Sequence, residues 1–494
     1  MLMKQPNINS TKYAVVLLVL GFFLPGLIMT IESASPYCRA DDWRFVEIYL
    51  RPYLDGTLQL QDLWSDPVHP LPLYAFMFIC SAEWSNLQIH QIGWVCIFFQ
   101  FFYALLIVWG FMQSTEQTGR KNGLLLLSIV GICTVIFSFV VNTAYTWPIM
   151  SSLYGGLFLL VAISMLANSY LNRARKKLKL VFLAGVYILT TLLYSDWAIL
   201  LFLSFLIAGG ILLIIEKQNR RKILLLSVVS ILSIVAGLGL LNLLTGESSR
   251  QYQSAINALI ILFVDHFILT FKAIATGLFS GLLNYTRFTT DLGLGKNLYI
   301  MASAVFMVLY LGVLVLYFIK RLYNRTILPC LMMIFSLLFL LSALVFRYNP
   351  LDHGSLALVI GRYLIYYQVG IAGFFWAVYM FLIRGSRSGS KSKNAYKISL
   401  YILTFILFSI WVYHFSAELK TAKFLKSKYP EVSEQIRAKR INPEIKAPWS
   451  NQPGRDISKQ LDLLHEYQLN VFAPNYPYPP EKEAGSKKTN KDGN

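Results

Sequence analysis

The chain is dominated by apolar stretches of about 20 residues that carry almost no charge, the length a helix needs to cross the hydrocarbon core of a bilayer. No other feature limits the fold as strongly. Inside lipid every backbone N–H and C=O must find its partner within the protein, which leaves α-helices and closed β-barrels. The stretches are continuously apolar and do not alternate, so they read as helices and not as barrel strands. Hydrophobic residues make up 56% of the 494, with a mean hydropathy of +0.54. The expected class is an all-α polytopic membrane protein.

The formal net charge of +19 does not point to nucleic acid, because no nucleic-acid-binding module is present and much of the excess lies in short loops between apolar stretches. Those loops are Arg120-Lys121, Arg173 to Lys177, Lys217 to Lys222, Lys320 to Arg325 and Arg384 to Lys397. Lys and Arg in short loops mark the cytoplasmic side. A single assumption puts all of these loops on that side. The 14-residue stretch from Leu71 to Trp84, too short for an ordinary span, does not cross. The expected spans are then 13–30, 92–112, 123–141, 149–167, 179–194, 198–215, 223–244, 297–319, 326–346, 364–383 and 398–416, about eleven in all. The first follows Lys4 and Lys12 and is read as a retained helix, since Pro36-Tyr37-Cys38-Arg39 makes a poor signal-peptidase site. The stretch 256–285 is apolar but holds Asp265, His266 and Lys272, and is read as an amphipathic or re-entrant helix pair on the outer side.

This topology divides the chain into a membrane domain, 1–416, and an outer tail, 417–494. The tail carries an expected helix from Asp456 to Tyr467 and is read as disordered after about residue 475. The first outer loop spans about residues 31–72. The cytoplasmic side has only short basic loops, so any chemistry is expected on the outer side. None of the five cysteines has the spacing of a disulfide framework or a zinc site. Neither a repeat array nor an inverted repeat shows in the span lengths.

Charge in the first outer loop falls in clusters at its two ends. Ala40-Asp41-Asp42-Trp43-Arg44-Phe45-Val46-Glu47-Ile48 opens it and Asp62-Leu63-Trp64-Ser65-Asp66-Pro67-Val68-His69-Pro70 closes it. If Asp41 to Leu50 is helical, Asp41, Arg44 and Glu47 share a face at three-residue spacing. Grouped acids at a membrane surface suit a general base or a cation ligand. The alternative is ordinary helix capping by Asp41 or Asp42. Trp43 and Trp64 are expected at headgroup level. Other polar residues have competing readings. Asp196 suits an interface position or a cavity wall, and Asn142 to Trp147 suits sugar contact or interface anchoring. Asp265-His266 and Asp352-His353 supply only a pair of metal ligands each.

Asp41-Asp42-Trp43-Arg44-Phe45-Val46-Glu47-Ile48 resembles the Asp-Glu-x-Arg-Tyr-x-Glu-Ile start of the first outer loop in bacterial aminoarabinose transferases. His69-Pro70-Leu71-Pro72-Leu73-Tyr74 is similar to the His-Pro-Pro-Leu-Tyr-Tyr element that ends that loop in protein-mannosyltransferase-like enzymes. Both groups belong to the GT-C superfamily of membrane glycosyltransferases. Gly361-Arg362-Tyr363 and Gln468-Leu469-Asn470-Val471-Phe472 resemble uncharacterised bacterial membrane proteins of this type. The motif match covers roughly the first 110 residues; beyond them the likeness is topology and scattered short motifs.

The resemblance implies a GT-C fold and transfer of a sugar from a polyprenyl-phosphate donor to a glycan, lipid or protein acceptor. The site would face outward from the cytoplasmic membrane of a bacterium. It implies Asp41 as base or metal ligand, with Asp42 beside it. Arg44, Glu47, Asp66, His69, Arg347 and Arg362 are the candidate substrate-binding residues, and a divalent cation is the only cofactor it admits. Val68-His69-Pro70-Leu71 departs from the Glu-Lys-Pro-Pro of the transferases, so the residue that would meet the donor phosphate is changed. The rival readings are a transporter or flippase of lipid-linked sugars, marked by midplane charge and broken helices, and a non-catalytic relative that binds lipid-linked glycan.

Overall fold

The computed structural model describes residues 8–38, 41–65, 71–116, 122–141, 145–172, 177–216, 219–245, 261–346, 350–359, 363–386, 393–438 and 457–478. Within them the chain is helical, without a strand. Helix α1 (Ile8–Ser33) leads into the first loop, where α2 (Asp42–Phe45), a π-helical turn (Val46–Leu50) and α3 (Arg51–Leu54) run on from one another. A 3-10 turn (Leu60–Trp64) precedes α4 (Pro72–Ser85). The bundle continues with α5 (Ile89–Glu116), α6 (Asn122–Ile136), α7 (Pro148–Asn172), α8 (Lys177–Leu193), α9 (Ser195–Ile215) and α10 (Arg220–Thr245). Then come α11 (Phe267–Ser280), α12 (Tyr285–Thr290), α13 (Lys296–Ile319), α14 (Leu328–Phe346), α15 (Pro350–His353) and α16 (Leu364–Gly385). The last elements are α17 (Lys393–Arg437) and α18 (Ser458–Glu466).

Among the described residues nine helices are long and apolar enough to cross a membrane: α1, α5, α7, α9, α10, α13, α14, α16 and α17. The other expected spans, 123–141 and 179–194, fall on α6 and α8, of 15 and 17 residues. Helix α4, the stretch read as non-crossing, has 14 residues and a length of about 21 Å, short of a hydrocarbon core of about 30 Å.

Side chains from the short basic loops close helix ends. Lys179 Nζ donates to Ser169 O (3.2 Å) and Lys222 Nζ to Leu171 O (2.8 Å), both at the C-terminus of α7. Arg220 Nε donates to Leu213 O (3.0 Å) near the end of α9, and Arg384 Nη1 to Lys320 O (3.1 Å) at the end of α13. Cations there satisfy carbonyls that lack an intrahelical partner and meet the negative end of the helix dipole. Asn168 Oδ1 accepts from Ile327 N (2.9 Å), and Tyr323 Oη donates to Glu216 Oε2 (3.4 Å). The ends of α7, α9, α13 and α16 therefore lie together at one end of the bundle.

The first loop and the tail meet at the opposite end. Lys426 Nζ lies 2.6 Å from Glu32 Oε2, and Tyr429 donates through its hydroxyl to Ser33 O. A second hydrophobic core forms there, separate from that of the bundle. It gathers Trp43, Phe45, Val46, Tyr49 and Leu50 from the loop, Tyr74 and Phe78 from α4, and Leu425, Leu461, Leu464 and Val471 from the tail.

Two close approaches inside the bundle require glycine. A Cβ on Gly370 would sit 2.4 Å from the Ser336 Cβ, and one on Gly373 would sit 2.7 Å from Pro329 O, so α16 lies directly against α14.

Several expectations change. The boundary at residue 416 falls inside α17, a helix of 45 residues and about 68 Å that passes well beyond a bilayer core. The expected span 123–141 breaks after Ile136. Its freed carbonyls are taken by side chains of other helices: Ile136 O by Gln100 (3.1 Å), Phe137 O by Trp411 (2.9 Å) and Ser138 O by Gln368 (3.2 Å). In the stretch read as an amphipathic or re-entrant pair, α11 buries Ala273, Thr276, Gly277 and Leu278. Thr276 Oγ1 donates to Ser355 O (2.6 Å) and Gly277 faces Leu340 and Leu358, which fits a re-entrant helix. The tail helix expected at 456–467 is α18, and the described residues end at 478, so the segment read as disordered lies almost wholly outside them.

Candidate functional site

Asp41 sits at the N-cap of α2, but its side chain makes no capping hydrogen bond. Capping therefore does not account for this carboxylate. Its backbone oxygen alone receives the first amides, from Arg44 N (3.0 Å) and Phe45 N (3.3 Å). One residue on, helical geometry turns Asp42 by about 100°, into the protein. Asp42 is fully buried, and its Oδ1 accepts the hydroxyl of Tyr74 at 2.8 Å. Tyr74 is itself fully buried on α4. Asp41 and Arg44 stay half-buried and Glu47 is exposed. The opening cluster thus has an inner carboxylate and an accessible one on consecutive residues.

Aromatic packing holds the inner carboxylate in place. The Phe45 ring lies 5.1 Å from both Tyr49 and Tyr74 and 5.8 Å from Phe78. Burial, followed by the Asp42 charge and hydrogen bond, pushes the Tyr74 phenol well above its ordinary range. Burial first and Asp42 second raise the Cys38 thiol as well, so Cys38 is an inert thiol beside the acid.

Farther along the loop, Gln59 and Asp62 form a capping box, with Gln59 N donating to Asp62 Oδ2 at 2.7 Å. Trp64 Nε1 donates to Leu192 O at 2.7 Å, tying the loop to the end of α8. Trp43 is buried in the second core, and Trp64 is half-buried against the end of α8. Tyr145 and Trp147 are likewise buried, Tyr145 accepting from Gln100 Nε2 at 3.0 Å, which replaces interface anchoring for those residues.

Of the candidate site residues, Asp41, Asp42, Arg44 and Glu47 are brought onto one short helical stretch. Asp66, His69, Arg347 and Arg362 lie outside the described residues, as do the side chains of Asp352 and His353. Asp196 is exposed in the first turn of α9, and Asp265 and His266 are exposed. Among the described residues no group of three or more His, Cys, Asp or Glu is placed to hold a metal ion. Asp41 as a cation ligand therefore lacks a donor set among the described residues.

Sequence reasoning missed some partners. Tyr74 belonged to a quoted motif without a role. Gln460 on α18 donates to Glu47 Oε2 at 3.1 Å across 413 residues, a contact without a local signal. A second polar knot joins α12 to α17. Arg287 donates to Glu418 Oε1 (2.8 Å), Thr421 Oγ1 (3.0 Å) and Asp291 Oδ2 (3.3 Å). Tyr413 Oη donates to Asp291 Oδ2 at 2.9 Å, and this bond, ahead of those from Thr290 and Arg287, lowers the Asp291 carboxyl.

Neither a family model nor a curated protein sequence matches this chain.

Proposed function

We propose that this chain is an integral membrane glycosyltransferase of the GT-C type, which moves a sugar from a polyprenyl-phosphate donor to a glycan, lipid or protein acceptor of the cell envelope. The observation that carries this reading is the split of the Asp41-Asp42 pair. A buried carboxylate bonded to Tyr74 fixes the helix start, and its half-buried neighbour makes no capping bond. A general base has to be held in place and still be reachable.

Asp41 takes the proton of the acceptor hydroxyl as its oxygen attacks the anomeric carbon. The bond from that carbon to the donor phosphate breaks, and polyprenyl phosphate leaves with the electron pair. Arg44, three residues from Asp41, is the cation this reading assigns to the phosphate as its charge grows. The polyprenyl tail would run between helices in the lipid.

Topology supports an outward site. The described cations Lys179, Arg220, Lys222 and Arg384 close helix ends at the end of the bundle opposite the first loop and the tail, and Lys and Arg favour the cytoplasmic side. Helices α5 to α10, α13, α14, α16 and α17 lie between loop and tail. Eight of them are long and apolar enough to cross and the eleven-span reading adds the shorter α6 and α8; either number is even, as placement at the same end requires. The location this reading assigns is the cytoplasmic membrane of a bacterium, as the resemblance implies.

The transporter reading would draw on the break in α6. Its freed carbonyls already have protein partners in Gln100, Trp411 and Gln368 and are not left for a substrate. The deciding experiment is mass spectrometry of envelope glycans from a deletion strain carrying the wild-type chain or Asp41→Asn. Loss of a glycan on deletion, its return with wild type and its continued absence with Asp41→Asn is the expected outcome. A glycan restored in full by Asp41→Asn would remove Asp41 as base.

A further inference from the structure

The segment 457–478 touches the first loop and the turn after α4 along its whole length. At its start, Gln460 Nε2 donates to Glu47 Oε2 (3.1 Å) and Arg51 Nη2 donates to Lys459 O (3.2 Å). At its far end, Asn86 Nδ2 donates to Asn475 Oδ1 (3.0 Å) and Gln88 Nε2 to Asn475 O (2.9 Å). From behind, α17 holds it. Arg437 Nε donates to Val471 O (2.8 Å), and the Ser433 and Tyr476 hydroxyls lie 2.9 Å apart.

Asn470 is at the centre. It is fully buried, with φ +53°, a left-handed conformation that Asn tolerates better than most residues. Its backbone N–H donates to Asn86 O (2.8 Å), and its Nδ2 donates to Leu87 O (2.6 Å) and to Pro36 O (3.1 Å). Asn86 and Leu87 are left-handed themselves, with φ of 51° and 59°, a costly pair of conformations that persists only where the surroundings impose it. One side chain thus ties the chain two residues before Cys38 to the turn that ends α4. Those are the flanks of the segments that carry Asp42 and Tyr74.

We infer that segment 457–478 is a strut that sets the position of the first loop against α4, and that Asn470 is its positioning residue. Without it the acid and the tyrosine keep their own bond and the packing of Phe45 on Tyr74 and Phe78, but the chain before Cys38 and the turn after α4 lose the side chain that ties them together. The inference concerns position and does not rest on the transfer reaction proposed above.

Cys38, 1% exposed and beside Asp42, reports on the strut. The full chain in membranes, with Cys80→Ser to remove the half-exposed thiol, is treated with a maleimide, and each cysteine is read by peptide mass spectrometry. Asn470→Asp keeps size and left-handed tolerance but turns both side-chain donors into an acceptor facing carbonyls. It is expected to speed Cys38 labelling at least about tenfold while Cys133 and Cys330, in the bundle core, stay protected. A disulfide between Asn86→Cys and Asn475→Cys, added to Asn470→Asp, is expected to restore protection of Cys38. Wild-type labelling in Asn470→Asp, or a lock that forms without restoring protection, would overturn the inference. If the bundle cysteines label as well, Gln460→Ala, which removes only the bond to Glu47, replaces it. Faster labelling of Cys38 alone then supports the strut and unchanged labelling refutes it.

Discussion

Tyr74 donates its hydroxyl to Asp42 at 2.8 Å, and neither residue is exposed to solvent. The bond joins the start of the first loop to the first turn of α4, 32 residues later. Tyr74→Phe keeps the ring packing against Phe45 and removes the donor, leaving a buried oxygen without it. The expected loss is about 1–3 kcal/mol, read as a lower midpoint of thermal unfolding for the detergent-solubilised chain. An unchanged midpoint would mean that the bond contributes nothing.

The same pair gives a pH dependence. The Tyr74 phenol is raised above 10.0 in the folded chain, by burial first and Asp42 second. Below about pH 10 the folded and unfolded chains both keep this proton, and the stabilisation is intact. Above it the unfolded chain releases the proton while the folded chain holds it, so stability falls as pH rises. Melting scans between about pH 9 and about pH 11 should slope downward in wild type and less steeply in Tyr74→Phe. Equal slopes would contradict the assignment.

Arg287 and Glu418 should behave as a coupled pair. Their side chains are 22% and 8% exposed, so the pair is shielded but not dry. Glu418→Gln alone is expected to cost about 1–3 kcal/mol, less than a fully buried pair because of that exposure. Combining it with Arg287→Met should add less than the separate costs together. Strict additivity in a double-mutant cycle would show that α12 is held to α17 by other contacts.

Trp411 supplies the hydrogen for Phe137 O where α6 breaks. Trp411→Phe retains an aromatic ring beside Phe139 and leaves that carbonyl unpaired in the bundle. A loss of about 1–3 kcal/mol is expected, again as a lower thermal midpoint. Trp109→Phe, at a ring 46% exposed on the bundle surface, serves as the control and should shift the midpoint far less.

Single cysteines test the sidedness. Thr57→Cys on the first loop and Lys459→Cys on the tail should label with an impermeant reagent from the same face of intact cells, and Asn324→Cys should label only after lysis. Labelling of Asn324→Cys in intact cells would overturn the orientation, and opposite behaviour of the first pair would overturn the packing of loop on tail.

The spans were legible because lipid allows so few residue types along a helix. Leu71 to Trp84 was legible as a short helix because its apolar run ends at Trp84, and the structure gives it 14 residues. Which of Asp41 and Asp42 faces inward was not, since the choice turns on the phase of a helix only a few residues long. The run after Ser416 read as a tail because Glu418, Lys420, Lys423 and Lys426 are charged. Its inward positions, Ala422, Leu425, Tyr429, Ser433 and Ile436, keep helical spacing and are all buried. Trp43 read as an interface anchor because nothing local announces a second core, 11 of whose 31 buried residues come from Leu425 onward.

That separation has a consequence in time. Glu47 leaves the ribosome 413 residues before the Gln460 that holds it, a delay of roughly 20–80 s at ordinary rates of synthesis. During that interval the helices insert one after another while the first loop waits with its acids exposed. Only the part of the chain beyond α17, the last candidate span, supplies the Gln460 and Asn470 bonds, so a product that stops after α17 can carry every candidate span and still leave its first loop without that support.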